Sequence, residues 1–143
     1  MKCYTYIEKN EEERVLIYAH DRTRLVEDIE SLVLSSEIDL TGSYDSEIIK
    51  IDINDVVCFI SDNNKVFALI GDKKYQIKYR LYQIEELNLN MFIKINQSCL
   101  ANKTKIKRFE TSIGGALKII FKNGYVDFIS RRELKNVKKR MGL

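Results

Sequence analysis

The chain holds one histidine, His20. That scarcity removes the commonest general base, the catalytic triads built on it and any metal site that needs several imidazoles. As a lone side chain at the end of a predicted strand, His20 reads as structural. Glycine is sparse as well. Its one adjacent pair, Gly114-Gly115, lies in neither a G-x-G-x-x-G nor a G-x-x-x-x-G-K pattern, so no nucleotide-phosphate cradle and no cofactor are expected. Cys3, Cys58 and Cys99 are odd in number and lack metal-ligand spacing, which points to reduced thiols behaving as small hydrophobes. No apolar run approaches the roughly 20 residues of a spanning helix. The N-terminus has no apolar segment of the kind a signal peptide requires, so a cytoplasmic location is expected. Carboxylate pairs occur at Glu85-Glu86 and at Asp45 and Glu47, but on turns or helix faces where no apolar pocket would raise one pKa. Catalysis is not expected.

What is present is a divided charge. Up to Val57 the chain carries six Lys/Arg against fourteen Asp/Glu; from Cys58 onward it carries eighteen against seven. The second part is built to face a polyanion, unless its lysines are ordinary solvated strand residues. At 143 residues the chain can bury a core without disulfide or metal staples.

Tyr4 to Glu8 and Arg14 to Ala19 are rich in β-branched and aromatic residues around the acidic turn Asn10 to Glu13 and predict a strand pair. Asp21 predicts the cap of a helix from about Arg22 to Ser35, with Leu25, Ile29, Leu32 and Val33 as its apolar stripe and Glu27, Asp28 and Glu30 exposed. Leu40 to Asp45 is small and polar and reads as a linker. The organisation expected is therefore an acidic β-β-α extension over residues 1–46 and a second unit over 47–143. The fold class expected is predominantly β with short helices.

Within the second unit, strands are expected at Ile48 to Ile53, Val56 to Ile60, Val66 to Ile70 and Tyr75 to Ile77, followed by a short helix from Leu81 to Asn88. Ser61-Asp62-Asn63-Asn64-Lys65 is a polar hairpin tip. It is either a plain turn or a probe carrying two amides and a cation. The most informative stretch is Phe92 to Ile106, where Asn96, Gln97 and Ser98 interrupt an apolar alternation with side chains that both donate and accept hydrogen bonds. They are an ordinary turn or a reader of base edges and phosphates. Leu117 to Phe121 and Val126 to Ile129 flank Asn123-Gly124, a strong hairpin signal. Ser130 and Glu133 have the spacing of a capping box, which starts a helix at about Arg131 with Leu134, Val137 and Met141 on its apolar side. Arg131 and Arg132 then sit at the positive end of the helix dipole, where cations cost roughly 0.3 to 1 kcal/mol. Either they are solvated surface charges, or they form an anion site with the free helix N–H groups.

The blocks Phe92-Ile93-Lys94-Ile95, Ser98, Leu100-Ala101-Asn102 and Lys105-Ile106-Lys107, then a Gly-Gly turn, an Asn-Gly hairpin and Ser130-Arg131-Arg132, follow one another in an order that resembles the LytTR DNA-binding domain of bacterial transcription regulators. The resemblance covers about Glu47 to Leu143. It implies a mainly β domain whose loops on one edge enter double-stranded DNA, with contacts carried over to Asn63, Asn64 and Lys65, to Asn96 and Gln97, and to Arg131 and Arg132. Lys94, Lys103, Lys105, Lys107 and Arg108 are the expected phosphate anchors. Asn102 matches a family position, yet its side chain suits a structural turn. The roughly 46 preceding residues are too few for the receiver domain that often precedes this one. The chain therefore resembles short members, some of them encoded beside small membrane proteins that control them. A homodimer on paired half-sites is implied as well. Two other readings stay open from the residues: a protein-interaction module acting through the acidic helix, and an RNA-binding β domain stacking bases on Tyr75 and Tyr79.

Overall fold

The computed structural model describes residues 1–143. Ten strands and three α-helices make a mostly β structure with short helices. In chain order they are α1 (Arg24–Ser36), β1 (Thr41–Tyr44), β2 (Glu47–Lys50), β3 (Cys58–Asp62), β4 (Lys65–Ile70), β5 (Lys73–Ile77), α2 (Leu81–Glu86), β6 (Phe92–Asn96), β7 (Cys99–Asn102), β8 (Ile106–Thr111), β9 (Leu117–Phe121), β10 (Val126–Ile129) and α3 (Arg131–Met141). Seven strands form one sheet in the order β2-β1-β5-β4-β3-β7-β6, and three form a second in the order β10-β9-β8.

Strand periodicity decides how the layers stack. Successive side chains on a strand point to opposite faces. Phe59, Phe92 and Leu100 therefore join a core with Ala68, Tyr75, Ile84 of α2 and Leu40 on one side of the large sheet. Their neighbours Cys58, Ile60, Ile93, Ile95, Cys99 and Ala101 join a core on the other side, closed by Leu117, Ile119, Phe121 and Ile129 of the small sheet and Val137 of α3. The large sheet is thus buried on both faces through its centre. That explains why β3 and β7 read as continuous apolar runs rather than as clean alternation. Asn102, at the end of β7, is the one polar side chain with no exposure. Its Nδ2 donates to Val56 O at 2.8 Å, and its Oδ1 accepts from Thr104 N at 3.0 Å and Thr104 Oγ at 2.7 Å, so it has the turn-forming role its residue type suggested.

Four expectations are corrected. The strand pair at Tyr4–Glu8 and Arg14–Ala19 is absent: residues 1–23 hold no helix or strand, and His20 is exposed there. An isolated two-stranded hairpin is marginal, and no third strand or helix surface covers this one. Up to Leu40 the chain is therefore helical where it is regular at all, with α1 capped by Thr23 rather than Asp21. Leu40 to Asp45 is no linker, because Thr41–Tyr44 pairs with β2 along its length and with β5 at Ser43↔Gln76. Gly42 permits that: a Cβ there would meet Ile51 Cδ1 at 2.6 Å and Tyr75 Cβ at 2.8 Å. Finally, α1 does not bury its predicted stripe. Val26 and Ser35 are buried while Leu25 and Leu32 face solvent.

Candidate nucleic-acid interface

The β3–β4 turn needs no glycine because two asparagines take its place. Asn63 (φ 48) and Asn64 (φ 62) both adopt positive φ, the geometry of a type I′ turn, with Asp62 paired to Lys65. The β6–β7 turn is equally short, since Asn96 pairs with Cys99 and leaves Gln97 and Ser98 at the tip. Asn96 Oδ1 accepts from Ser98 N at 2.8 Å, the side-chain turn that Asn forms more readily than most residues. The third element is the step from β10 into α3. Ser130 caps the helix by accepting from Glu133 N at 3.4 Å. The predicted capping box is only half made, because Ser130 N donates instead to Ile95 O at 2.9 Å.

Hydrogen bonds fasten these three turns to one another. Ser61 N donates to Ser98 O at 2.8 Å, joining the first to the second. Asn96 Nδ2 donates to Asp127 Oδ1 at 3.0 Å and to Phe128 O at 2.9 Å, and together with the Ser130–Ile95 bond it joins the second to the third. Asn63, Asn64, Lys65, Gln97, Arg131 and Arg132 are all exposed at this end of the sheet. No carboxylate forms an ion pair with Lys65, Arg131 or Arg132. Asn96 belongs to the same end but in another capacity, because both its side-chain amide groups are already engaged within the protein.

The expected phosphate anchors do not gather with them. Lys94 is half-buried, with Nζ 3.7 Å from a Glu85 carboxylate oxygen, in a cleft between α2 and α3 that Glu133 and Arg140 also line. Lys103 and Lys105 form a 3-10 turn after β7, six or more residues past Gln97, which at about 3.3 Å per residue is roughly 20 Å away at the other end of the sheet. Burial lowers the Lys103 pKa, Arg140 adds to the effect, and Glu27 of α1 opposes it. Lys107 is exposed on β8, where the register shifts between Ile106 and Arg108. Arg108 Nε lies 2.9 Å from Glu110 Oε1, and with Lys118 it holds the Glu110 carboxyl below its usual range. Sequence reading missed two groups at the clustered end. Arg80 Nη1 donates to Asn64 O at 2.9 Å, and Lys78 follows the strand that pairs with β4. Strand pairing was the available signal: Val66 opposite Ile77 brings residues 78–80 beside residues 63–65.

Such an arrangement defines a mostly β domain that presents three short polar turns from one end of a sheet. Comparison with known proteins agrees. The LytTr DNA-binding domain model matches residues 46–142. The chain is similar to an uncharacterized HTH-type transcriptional regulator of Staphylococcus aureus, 32% identical over 146 residues that take in 100% of this chain and 99% of the relative. A counterpart from another strain of that species is 31% identical over the same length. A solved LytTr DNA-binding domain from Bacillus cereus superposes with a TM-score of 0.68 at 18% identity, covering 74% of this chain and 99% of that one. This chain belongs to the LytTR DNA-binding domain family. No helix-turn-helix is present, since β1 to β5 separate α1 from α2 and β6 to β10 separate α2 from α3.

Proposed function

We propose that this protein is a transcription regulator that binds double-stranded DNA with the end of the large sheet carrying the three turns. Gln97, Arg132 and the Asn63-Asn64 tip meet base edges in the grooves. Arg131 and Lys65 meet phosphates. The observation that carries this reading is the chain of hydrogen bonds from Ser61 through Ser98 and Asn96 to Asp127, Phe128 and Ser130. Three turns held in fixed relation present one pre-organised surface, so little ordering cost falls on binding. Arg is suited to the reading role because its fork pairs bidentately with guanine O6 and N7, a contact worth about 1 to 3 kcal/mol of discrimination. Of the phosphate anchors named from sequence, Lys103 and Lys105 are the least suited to the same DNA contact, given their distance from the turns, and Lys94 and Arg108 carry carboxylate partners. Lys107 stands apart on the small sheet. A bent or long duplex, or a second copy on an adjacent half-site, is what these cations would require.

The test is binding to the duplex upstream of the protein's own coding region across a salt series, with native chain, Arg132→Ala and Lys105→Ala. Sequence-selective binding whose selectivity Arg132→Ala lowers about 5- to 150-fold, with Lys105→Ala near native, is the expected result. Equal binding to every duplex, with no effect of Arg132→Ala on selectivity, removes the proposal.

The RNA reading keeps only one of its two tyrosines, because Tyr79 is exposed whereas Tyr75 is buried beside Tyr44, their ring centroids 5.8 Å apart. A protein contact on α1 fits alongside DNA binding. Leu25 and Leu32 are exposed on the same helix as Glu27, Asp28 and Glu30. We propose that a regulatory partner, such as a small membrane protein acting on this chain in the cytoplasm, docks there. Replacing Glu27, Asp28 and Glu30 by their amides should abolish regulation in cells while leaving DNA affinity intact; lost DNA affinity would refute it.

A further inference from the structure

The turn from β5 into α2 lies beyond the three family loops, and the hydrogen bonding draws it into their surface. Antiparallel pairing of Val66 with Ile77 means that the chain leaves β5 at the same end at which β4 enters from the Asn63-Asn64 turn. Residues 78–80 therefore run about 4.8 Å to one side of that turn, on the flank away from Gln97. Arg80 crosses the gap, with Nη1 donating to Asn64 O at 2.9 Å. A local bond fixes its backbone, since Arg80 N donates to Gln83 Oε1 at 2.8 Å.

Lys78, Tyr79 and Arg80 are all exposed, and neither cation has a carboxylate partner. An arginine carries five N–H donors, and the bond to Asn64 uses one. The others are left beside a turn that, on the reading above, enters a groove of the duplex.

Dimensions bear on what they meet. From β5 across β4, β3 and β7 to β6 the sheet end spans four strand spacings, about 19 Å. A major groove is about 12 Å wide. A row of turns longer than the groove is wide, laid across it, has its outer member over the sugar-phosphate wall. In that crossing orientation the outer member on the β5 side is residues 78–80.

We propose that Lys78 and Arg80 form a fourth DNA-contacting element that grips backbone phosphates beside the groove entered by the Asn63–Lys65 turn. This rests on the assignment of that sheet end to DNA. Arg80 performs two tasks with one side chain: it braces the Asn64 carbonyl and it neutralises a phosphate. A phosphate contact carries no sequence information, so its loss weakens all duplexes alike and reduces the salt slope by about one contact.

The experiment measures affinity of the full-length protein for the duplex upstream of its own coding region and for a scrambled duplex, over a salt series. It compares the native chain with Arg80→Gln, Arg80→Lys, Lys78→Gln and Arg132→Ala, each first checked for a native melting transition. Arg80→Gln and Lys78→Gln are expected to weaken both duplexes about equally, by roughly 3- to 10-fold, and each to lower the slope of log K against log salt by about 0.9. Arg80→Lys should recover the slope. Native affinity and slope in Arg80→Gln and Lys78→Gln, with selectivity still lost in Arg132→Ala, overturn the fourth element and leave the three-turn reading standing. Loss of selectivity in Arg80→Gln with an unchanged slope also overturns it, because Arg80 would then only position the Asn64 turn. A native chain that binds neither duplex selectively, with Arg132→Ala unchanged, brings down the three-turn reading and this one with it.

Discussion

Asn96 and Gln97 are adjacent and chemically alike, yet Asn96 is bonded within the protein while Gln97 is exposed at the turn tip, and substituting each by alanine tests the proposed division between structure and recognition. Asn96→Ala removes three hydrogen bonds: Nδ2 to Asp127 Oδ1 at 3.0 Å, Nδ2 to Phe128 O at 2.9 Å and Ser98 N to Oδ1 at 2.8 Å. A neutral hydrogen bond contributes about 0.5 to 1.5 kcal/mol net and one to a charged group about 1.5 to 3. The site is half-exposed, so water recovers part of the loss, and a destabilisation of about 2 to 3 kcal/mol is expected. Gln97 is exposed at the turn tip and makes no hydrogen bond within the protein, so Gln97→Ala should stay within about 0.5 kcal/mol of native. On the DNA side the order reverses in kind. Gln97→Ala should lower selectivity at one position by about 1 to 3 kcal/mol, whereas Asn96→Ala should weaken binding by loosening the third turn from the second. Urea unfolding at constant m-value gives the first pair of numbers and a competition assay with specific and scrambled duplexes gives the second. Native stability in Asn96→Ala, or a loss above about 1 kcal/mol in Gln97→Ala, would show that the internal network does not hold the turns together.

Gly42→Ala should destabilise by about 1 to 3 kcal/mol through overpacking against Ile51 and Tyr75, and the folded fraction should bind DNA normally; an unchanged melting temperature would mean β1 yields without cost. Asn102→Ala leaves the Val56 carbonyl and the Thr104 amide without their partner, and a loss of about 2 to 4 kcal/mol in urea unfolding is expected, a value under 1 contradicting it. Contact with the Cys58 thiol, together with burial and the nearby Asp127, pushes the Cys99 thiol well above its ordinary pKa, so it stays protonated and shielded at neutral pH. A thiol reagent should therefore modify exposed Cys3 quickly and reach Cys58 and Cys99 only after unfolding, and rapid labelling of Cys99 in the native protein would contradict the packing.

Much of the molecule was legible because its signals are local. The Asn123-Gly124 pair marked the last hairpin, although only Gly124 takes positive φ (90), with Gly124 N bonding to Phe121 O at 2.9 Å in a three-residue loop. The Ser130 cap and the stripe through Val137 placed α3 within a residue of its observed start. Asn63-Asn64 announced a tight turn for the same local reason. The failures share a cause as well. Tyr4–Glu8 and Arg14–Ala19 have strand composition but no sheet to join, and strand propensity expresses packing against neighbours rather than a backbone preference. Thr41–Tyr44 looks like a linker and becomes a strand because Gly42 lets β5 and Ile51 approach.

The sequence by itself determined the family, the mainly β class and the three turns with their asparagines, amide and arginines, since turn chemistry, capping and strand alternation act over a few residues. Which cations share a surface was decided only by tertiary structure. Lys103 lies six residues from Gln97 and at the far end of the sheet, while Arg80 lies sixteen residues from Asn64 and bonds to its carbonyl. A strand carries its two ends apart at about 3.3 Å per residue, and antiparallel pairing returns distant residues to the same end.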